Sequence, residues 1–384
     1  LTSIFSWLRA DQLTGAAANR NTEAARRERR FFARLPARRP LFHCADLIRI
    51  MKTFIWLSWI CCLAAAAAQA APDRVVYTGQ QGPGRGRHIV LLAGDEEYRS
   101  EEGLPMLAKI LAVRHGFTCT VAFSIRPSDG TIDPVCQTNL PGIAALDDAD
   151  LVVLGLRFRE LPDSQMKHFV DYLNAGKPVI GLRTSTHAFA YSRDKKSPYA
   201  RFDYRSQEWP GGFGQQVLGE TWVSHHGAHG KESTRGILEP AHRNHPVLKG
   251  VTDIWGPSDV YTVSHLPADA AVLVRGQVLS GMKPSDSPVA GPKNDPLMPL
   301  VWARSWRGDA GRTSTIVTTT MGAAVDLESE GLRRLLVNAC YWALGLADQI
   351  PARANVDYVG PYRPTYFGFG KFIPNVRPAD LALP

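Results

Sequence analysis

His88-Ile-Val-Leu-Leu-Ala-Gly94, Ala149-Asp-Leu-Val-Val-Leu-Gly-Leu156 and Lys177-Pro-Val-Ile-Gly-Leu182 decide the fold. Each is a short, continuously apolar run of the kind that forms a strand buried on both faces, as in a parallel sheet. The intervening sequence has helical spacing. Leu104, Leu107, Ile110 and Leu111 share one face of a helix that Gly116 stops. Pro162 opens a second helix bearing Met166, Phe169, Val170 and Leu173, closed by Asn174-Ala-Gly176. Phe117 to Phe123 alternates like one more strand. Strand and helix in turn predict an α/β, doubly wound, mostly parallel sheet.

Outward from that core the pattern changes. Residues 192–234 are rich in Gly, Tyr, Trp and His and too long for an ordinary connection. Regular structure is predicted again at 236–239, 271–274, 299–303 and 313–318, with a last helix over 332–346 carrying Leu335, Leu336, Ala339 and Trp342. The 275–298 stretch reads as a polar surface loop. From Pro351 the tail is rich in Pro and aromatics and is predicted to wrap the body as an extended arm covering Tyr362, Tyr366, Phe367 and Phe369.

The net charge of +8 sits in the leader. Residues 1–50 hold ten Arg, no Lys and four acidic residues; without those arginines and Lys52, 33 basic residues face 32 acidic ones. A near-neutral body gives no basic surface for nucleic acid. Residues 1–50 look unlike a domain and are expected to have no stable fold. Met51-Lys52-Thr53, the apolar run Phe54–Ala68 and Ala68-Gln69-Ala70 before Ala71 form the pattern of a secretory signal peptide over 51–70. The run is short for a bilayer span, so export without a stable membrane anchor is expected. The body keeps Cys119, Cys136 and Cys340; a Cys119–Cys136 disulfide in an oxidising compartment and three small buried apolar residues are both open readings.

Four stretches together resemble the trehalose-utilisation (ThuA-like) branch of the class I glutamine amidotransferase-like superfamily. They are 149–155 with 176–182; Leu218-Gly-Glu-Thr-Trp-Val-Ser-His225; His245-Pro-Val-Leu-Lys-Gly250 with Ser258-Asp259-Val260-Tyr261; and Pro299-Leu-Val-Trp302 through Gly311-Arg312 and Met321-Gly322 to Arg333–Gly345. The resemblance spans roughly residues 88–346. It implies a flavodoxin-like sheet over a domain at 71–350, with 351–384 as the arm, and a link to carbohydrate catabolism that includes 3-keto glycosides. The chain departs from the pattern in two places. Arg183 stands where amidotransferases carry the nucleophilic Cys, and a guanidinium cannot act as a thiolate, so glutamine amidotransferase activity is excluded. Met321-Gly322-Ala323 replaces the usual Gly-His-Asp.

In open α/β sheets ligands bind outside the carboxyl ends of the strands. Gly94-Asp-Glu-Glu-Tyr-Arg-Ser-Glu-Glu102 lies at one such end. There Glu97 is a candidate base and Tyr98 a candidate contact, while Glu101 and Glu102 favour the helix dipole. Arg183, Ser185 and His187 follow another end, where a guanidinium and turn amides suit a developing oxyanion. A structural Arg paired with a loop carboxylate is the rival reading. His225 and Asp259 complete the expected catalytic set. Trp222, His226 and Tyr261, with Tyr98 and Ser185, complete the expected substrate contacts. His225 and His229 have metal-ligand spacing, but Gly227 and Gly230 argue against a helix there and no third ligand is apparent. No cofactor is expected, and a divalent metal on this histidine pair is the minority reading. The expected partner is a small carbohydrate. It is either turned over, as by a lyase, isomerase or hydrolase that abstracts a proton beside a carbonyl, or bound without chemistry.

Overall fold

In the computed structural model, which describes residues 72–383, the three apolar runs are strands of one sheet. The expected upstream extension and signal peptide lie outside the described residues. The strands are β1 (Arg74–Thr78), β2 (His88–Gly94), β3 (Thr118–Phe123), β4 (Leu151–Leu156), β5 (Val179–Leu182), β6 (Thr234–Leu238), β7 (Ile254–Gly256), β8 (Ala271–Val278), β9 (Met298–Arg307) and β10 (Thr313–Thr319), in spatial order β1-β3-β2-β4-β5-β10-β9-β8-β6-β7. The helices are α1 (Ser100–His115), α2 (Asp163–Asn174) and α3 (Glu330–Ala343).

Only the centre of the sheet is parallel. β3, β2, β4, β5 and β10 run the same way. β1 pairs antiparallel at one edge, and β9, β8, β6 and β7 extend the other side antiparallel. The sheet is therefore mixed, with the expected parallel strands as its core and antiparallel strands added on both sides. After β10 the available partner is β9, joined to it by a short turn, and a short turn can only reverse direction.

Side chains along β2 alternate between two cores. Ile89, Leu91 and Ala93 pack with Leu107 and Leu111 of α1 and Leu332, Leu335 and Leu336 of α3. Val90 and Leu92 pack with Met166, Phe169 and Leu173 of α2 and with Val217 and Leu218. Helices cover both faces, which is why these strands read as unbroken apolar runs rather than as alternation. Burying one such side chain contributes about 1.5–3 kcal/mol. Gly116, at φ 84°, ends α1 by donating its N–H to Leu111 and Ala112.

Several expectations need correction. β8 runs through Val278, so the first residues of the supposed 275–298 loop are strand, paired with β6. The arm meets the body, with Phe367 buried and the Tyr362 hydroxyl donating to the Ala324 carbonyl at 2.7 Å. Tyr366 and Phe369, however, are exposed rather than covered. Trp302 is fully buried, and Trp342 of α3 is half-buried against the core that α1 and α3 share. Cys119, Cys136 and Cys340 are free thiols; Cys119 lies in the core and Cys136 on a loop. Among the described residues, no helix is long and apolar enough to cross a membrane.

Candidate functional site

The turns after β2, β4, β5 and β10 meet at the carboxyl edge of the parallel strands. Asp95, just past β2, accepts from the Glu97 and Tyr98 amides at 2.8 and 3.0 Å and from the Thr184 hydroxyl just past β5, tying two turns together. Glu96 accepts from Arg157 and Arg159, both just past β4, at 2.6 and 2.8 Å. Arg183 follows β5 with φ 38°, a left-handed conformation that costs a non-glycine residue on the order of 1 kcal/mol or more. Opposite it Gly322, at φ 148°, brings the turn after β10 so close that a Cβ would stand 2.8 Å from that of Leu182.

Arg183 is 1% exposed and clamped between two phenol rings, Tyr98 and Tyr261, each 4.2 Å from the guanidinium carbon. Nη1 donates to the carbonyls of Asp259 and Thr320 at 3.0 and 2.8 Å. Nη2 donates to the Tyr98 hydroxyl and to Asp259 Oδ1 at 3.0 and 2.9 Å. Both terminal nitrogens are thus spent within the protein, and Nε is buried without a partner. The expectation that Arg183 would face an oxyanion is corrected. The structure realises the rival reading of a guanidinium paired with a loop carboxylate, because the loop that carries Asp259 folds over it.

Asp259 is the hub. The strip 224–227 pairs antiparallel with 260–262 through the His226 amide to Val260 and the Thr262 amide to Ser224. Asp326, also fully buried, fixes the preceding residue by accepting from the Ser258 amide and hydroxyl at 3.1 and 2.6 Å. With its backbone held, Asp259 accepts from Nδ1 of His225 on Oδ2 at 2.7 Å and from Nδ1 of His229 on Oδ1 at 2.9 Å. Burial alone would raise this carboxyl; Arg183 and the two imidazoles outweigh it and hold it well below the usual range. The carboxylate is 0% exposed, whereas the imidazoles are 37% and 35% exposed. Two half-open rings therefore stand on one buried charge. An ionised carboxylate only accepts, so each ring donates its Nδ1–H to Asp259 and leaves Nε2 for a second partner. His229 Nε2 lies 3.4 Å from Glu97 Oε1. Burial raises the Glu97 carboxyl, opposed by Arg157 at 3.4 Å.

Of the expected catalytic residues, Glu97, Arg183, His225 and Asp259 come together. His187 lies one ring away, buried, edging Phe158, Trp222 and Tyr261 at 5.0, 5.5 and 6.4 Å. Burial, then Arg157 and Arg183, push its imidazole well below the usual range, so it is neutral. The expected substrate contacts fare worse. Tyr98 and Tyr261 are buried on Arg183 and offer no open ring face. Ser185 donates to the Leu154 carbonyl of β4 at 2.8 Å, a strand-end anchor. Nε2 of His226 pairs with the Lys293 carbonyl at 2.8 Å, facing away from Asp259. Trp222 alone stays at the rim, edge-on to His225 at 5.8 Å. His229 escaped the sequence reading as a proton-handling residue because its glycine neighbours spoke against a helix. A turn brings the two rings together instead, and the His-Gly-rich composition of the segment was the available signal.

His225, His229 and Asp259 could also hold a metal, their donor atoms lying within 4.8 Å of one another. Ligands at about 2.1 Å around one ion stand at most about 4.2 Å apart, so the set would have to tighten. Arg183 already neutralises the carboxylate and would repel a divalent ion. Hydrogen bonding accounts for the observed contacts without one.

No family model matches the chain, and no curated protein matches it. Among solved structures it is similar, at 11% identity over 66% of this chain and 35% of the other, to an exo-beta-1,4-mannosidase from Opitutaceae bacterium strain TAV5, with a TM-score of 0.28. It is similar also to a protein described as ThuA-like from Bacteroides uniformis ATCC 8492, at 14% identity over 70% of this chain and 95% of the other, TM-score 0.41. A second structure described as ThuA-like, from Parabacteroides merdae ATCC 43184, is similar at 16% identity over 74% of this chain and 98% of the other, with a TM-score of 0.44.

Proposed function

We propose that this chain is an exported ThuA-like protein with a flavodoxin-like core, and that it acts on a neutral carbohydrate by moving a proton beside a carbonyl. The single observation behind this reading is the shared carboxylate, with Asp259 accepting from Nδ1 of His225 and of His229. A buried carboxylate behind an imidazole fixes its tautomer and stabilises the imidazolium that forms when Nε2 takes a proton. The core's strand order, counted along its five parallel members, is second, first, third, fourth, fifth, which is the flavodoxin-like order.

In a 3-keto glycoside the hydrogen on C2 is acidic because the carbonyl delocalises the electron pair left behind. His225 Nε2 takes that proton and the pair enters the enolate. As the carbonyl re-forms, the pair becomes the C1–C2 double bond and the C1–O bond to the aglycone breaks. The departing oxygen takes a proton from Nε2 of His229, which enters this step as an imidazolium between Asp259 and Glu97. The proton gained by His225 then passes to His229, so both rings are restored and no oxidant or reductant is needed. The carboxylates and guanidiniums at the strand ends pair with one another, which suits an uncharged substrate. The test is exchange of the C2 hydrogen of methyl 3-keto-β-D-glucopyranoside in deuterated water. Wild-type protein is expected to catalyse exchange and His225→Ala to have lost it; equal exchange by both refutes the assignment.

A second reading, binding of carbohydrate without turnover, is favoured by the spent donors of Arg183, which leave an enolate without that guanidinium. Saturable binding of the glycoside with no exchange would select it. Export is proposed on the leader alone. Amino-terminal sequencing of the protein recovered from the periplasm or medium is expected to begin near Ala71, and a retained leader would oppose it.

A further inference from the structure

The C-terminal arm reaches the site by specific bonds. The Thr365 amide and hydroxyl donate to Glu102, both at 2.6 Å. The Gly368 amide donates to the Glu97 carbonyl at 2.8 Å, and the Gly368 carbonyl accepts from Arg99. These contacts span more than 260 residues of sequence and land on the turn that carries Glu97 and on the first turn of α1 that follows it. Gly368 and Gly370 have φ 137° and 66°, so the backbone reverses where both its polar groups are already held. Between these anchors Phe367 is buried against Tyr98 and His229, with ring centroids 5.3 Å from each. Phe369 lies with the Arg157 guanidinium carbon 5.0 Å from its ring centre. That guanidinium is also held by Glu96 and Glu97 and packs on Phe158 at 4.4 Å. Phe369 nonetheless remains 62% exposed.

An exposed aromatic on an anchored segment, resting on a cation bonded to a site carboxylate, is a supported ring with a free side. From these observations we infer that Phe369 is a specificity-determining residue on which the apolar face of a pyranose rests. The occupant follows from the surroundings. The cation beneath the ring is neutralised by Glu96 and Glu97, so an anionic ligand finds no free charge there. A sugar face of C–H groups gains burial against the ring while its hydroxyls stay in water. This inference rests on the carbohydrate reading above and adds to it the recognition surface, on a segment beyond the resemblance at 88–346.

The test uses the full chain and ligand-observed NMR titration with methyl β-D-glucopyranoside and its 3-keto form. Wild-type protein is expected to bind, Phe369→Ala to bind roughly five- to tenfold more weakly, and Phe369→Trp to recover most of the loss. An unchanged melting temperature in both variants is expected from an exposed side chain. A wild-type protein that binds while Phe369→Ala binds equally well overturns the platform and leaves the carbohydrate reading standing. A wild-type protein that binds neither glycoside overturns both.

Discussion

The parallel and antiparallel halves of the sheet contribute opposite things to the site. The parallel strand ends supply Asp95, Glu96, Arg157, Arg159 and Arg183, which are buried or nearly so and bonded to one another or to backbone. The irregular crossing into the antiparallel half supplies His225 and His229, which are half-open and touch the buried network through Asp259. A rigid lattice of charge thus holds one carboxylate, and that carboxylate holds two rings that can exchange protons with a ligand. Stability and chemistry are separable here, and substitutions on either side of Asp259 should divide accordingly.

The largest effect is expected at the joint. Arg183→Met removes the cation facing a fully buried carboxylate, and breaking a buried pair from one side costs about 3–5 kcal/mol. At this size that is a fall in melting temperature on the order of 10 °C by thermal denaturation. Arg183→Met combined with Asp259→Leu should recover part of the loss, since neither partner is then stranded. A melting temperature within a degree of wild type for Arg183→Met would mean that the two halves are not coupled through this pair.

Next in size are the rings. His225→Ala is expected to lower turnover of the 3-keto glycoside by roughly 10²-fold or more, the usual contribution of a positioned base. Stability should change by about 1 kcal/mol or less, because the ring is exposed and makes one hydrogen bond to protein. His229→Ala should slow aglycone departure more than C2 exchange, so the two variants separate when both rates are followed. Metal analysis belongs beside these assays. Stoichiometric zinc bound by wild-type protein and lost in both variants would replace the acid–base assignment with a metal centre.

The parallel half was legible because continuous apolar runs separated by helical spacing leave few alternatives, and 88–94, 151–156 and 179–182 fall within the expected segments. β1 and β7 were not legible: one is an edge strand with a single sheet partner, the other only three residues long. The site was legible where strand ends dictate it, at Glu97 and Arg183, and at His225 and Asp259 through the resemblance. It was illegible where long-range bonds decide orientation. Nothing local to Ser185 says that its hydroxyl returns to Leu154, or to Tyr98 and Tyr261 that a guanidinium lies between them. Phe369 and Glu97 are joined only by the path of the arm.

A pH dependence of stability sharpens the contrast further. His187 is held neutral inside the protein, whereas in the unfolded chain it titrates near 6.5. Below that pH the unfolded chain binds a proton that the folded protein refuses, so stability falls as pH falls, by up to about 1.4 kcal/mol per unit. Asp259, whose pKa is depressed, adds its own loss only when acid reaches the carboxylate range near 4 and below. Glu101, pushed up to about 8 by burial, opposes this trend, and His115 and His245, lowered by burial, add to it in both proteins. Denaturant unfolding between pH 7 and 5 should therefore show His187→Phe losing less stability on acidification than wild type. A slope unchanged in that variant would place the titrating group elsewhere.

The smallest effect falls on the residue beside the most consequential ring. His226 follows His225 directly, yet its Nε2 pairs with the Lys293 carbonyl. His226→Ala loses that bond, worth about 0.5–1.5 kcal/mol, and loosens the 279–297 loop from the strip that carries His225. The proton-handling pair on Asp259 is untouched, so turnover and C2 exchange should stay within about twofold of wild type, a change under ~0.5 kcal/mol. Two adjacent histidines would then differ by orders of magnitude in rate for one reason: the antiparallel strip alternates its side chains, directing one ring toward the buried carboxylate and the next away from it. Equal losses of activity at 225 and 226 would show instead that the strip acts as a unit and that Asp259 does not distinguish the two rings.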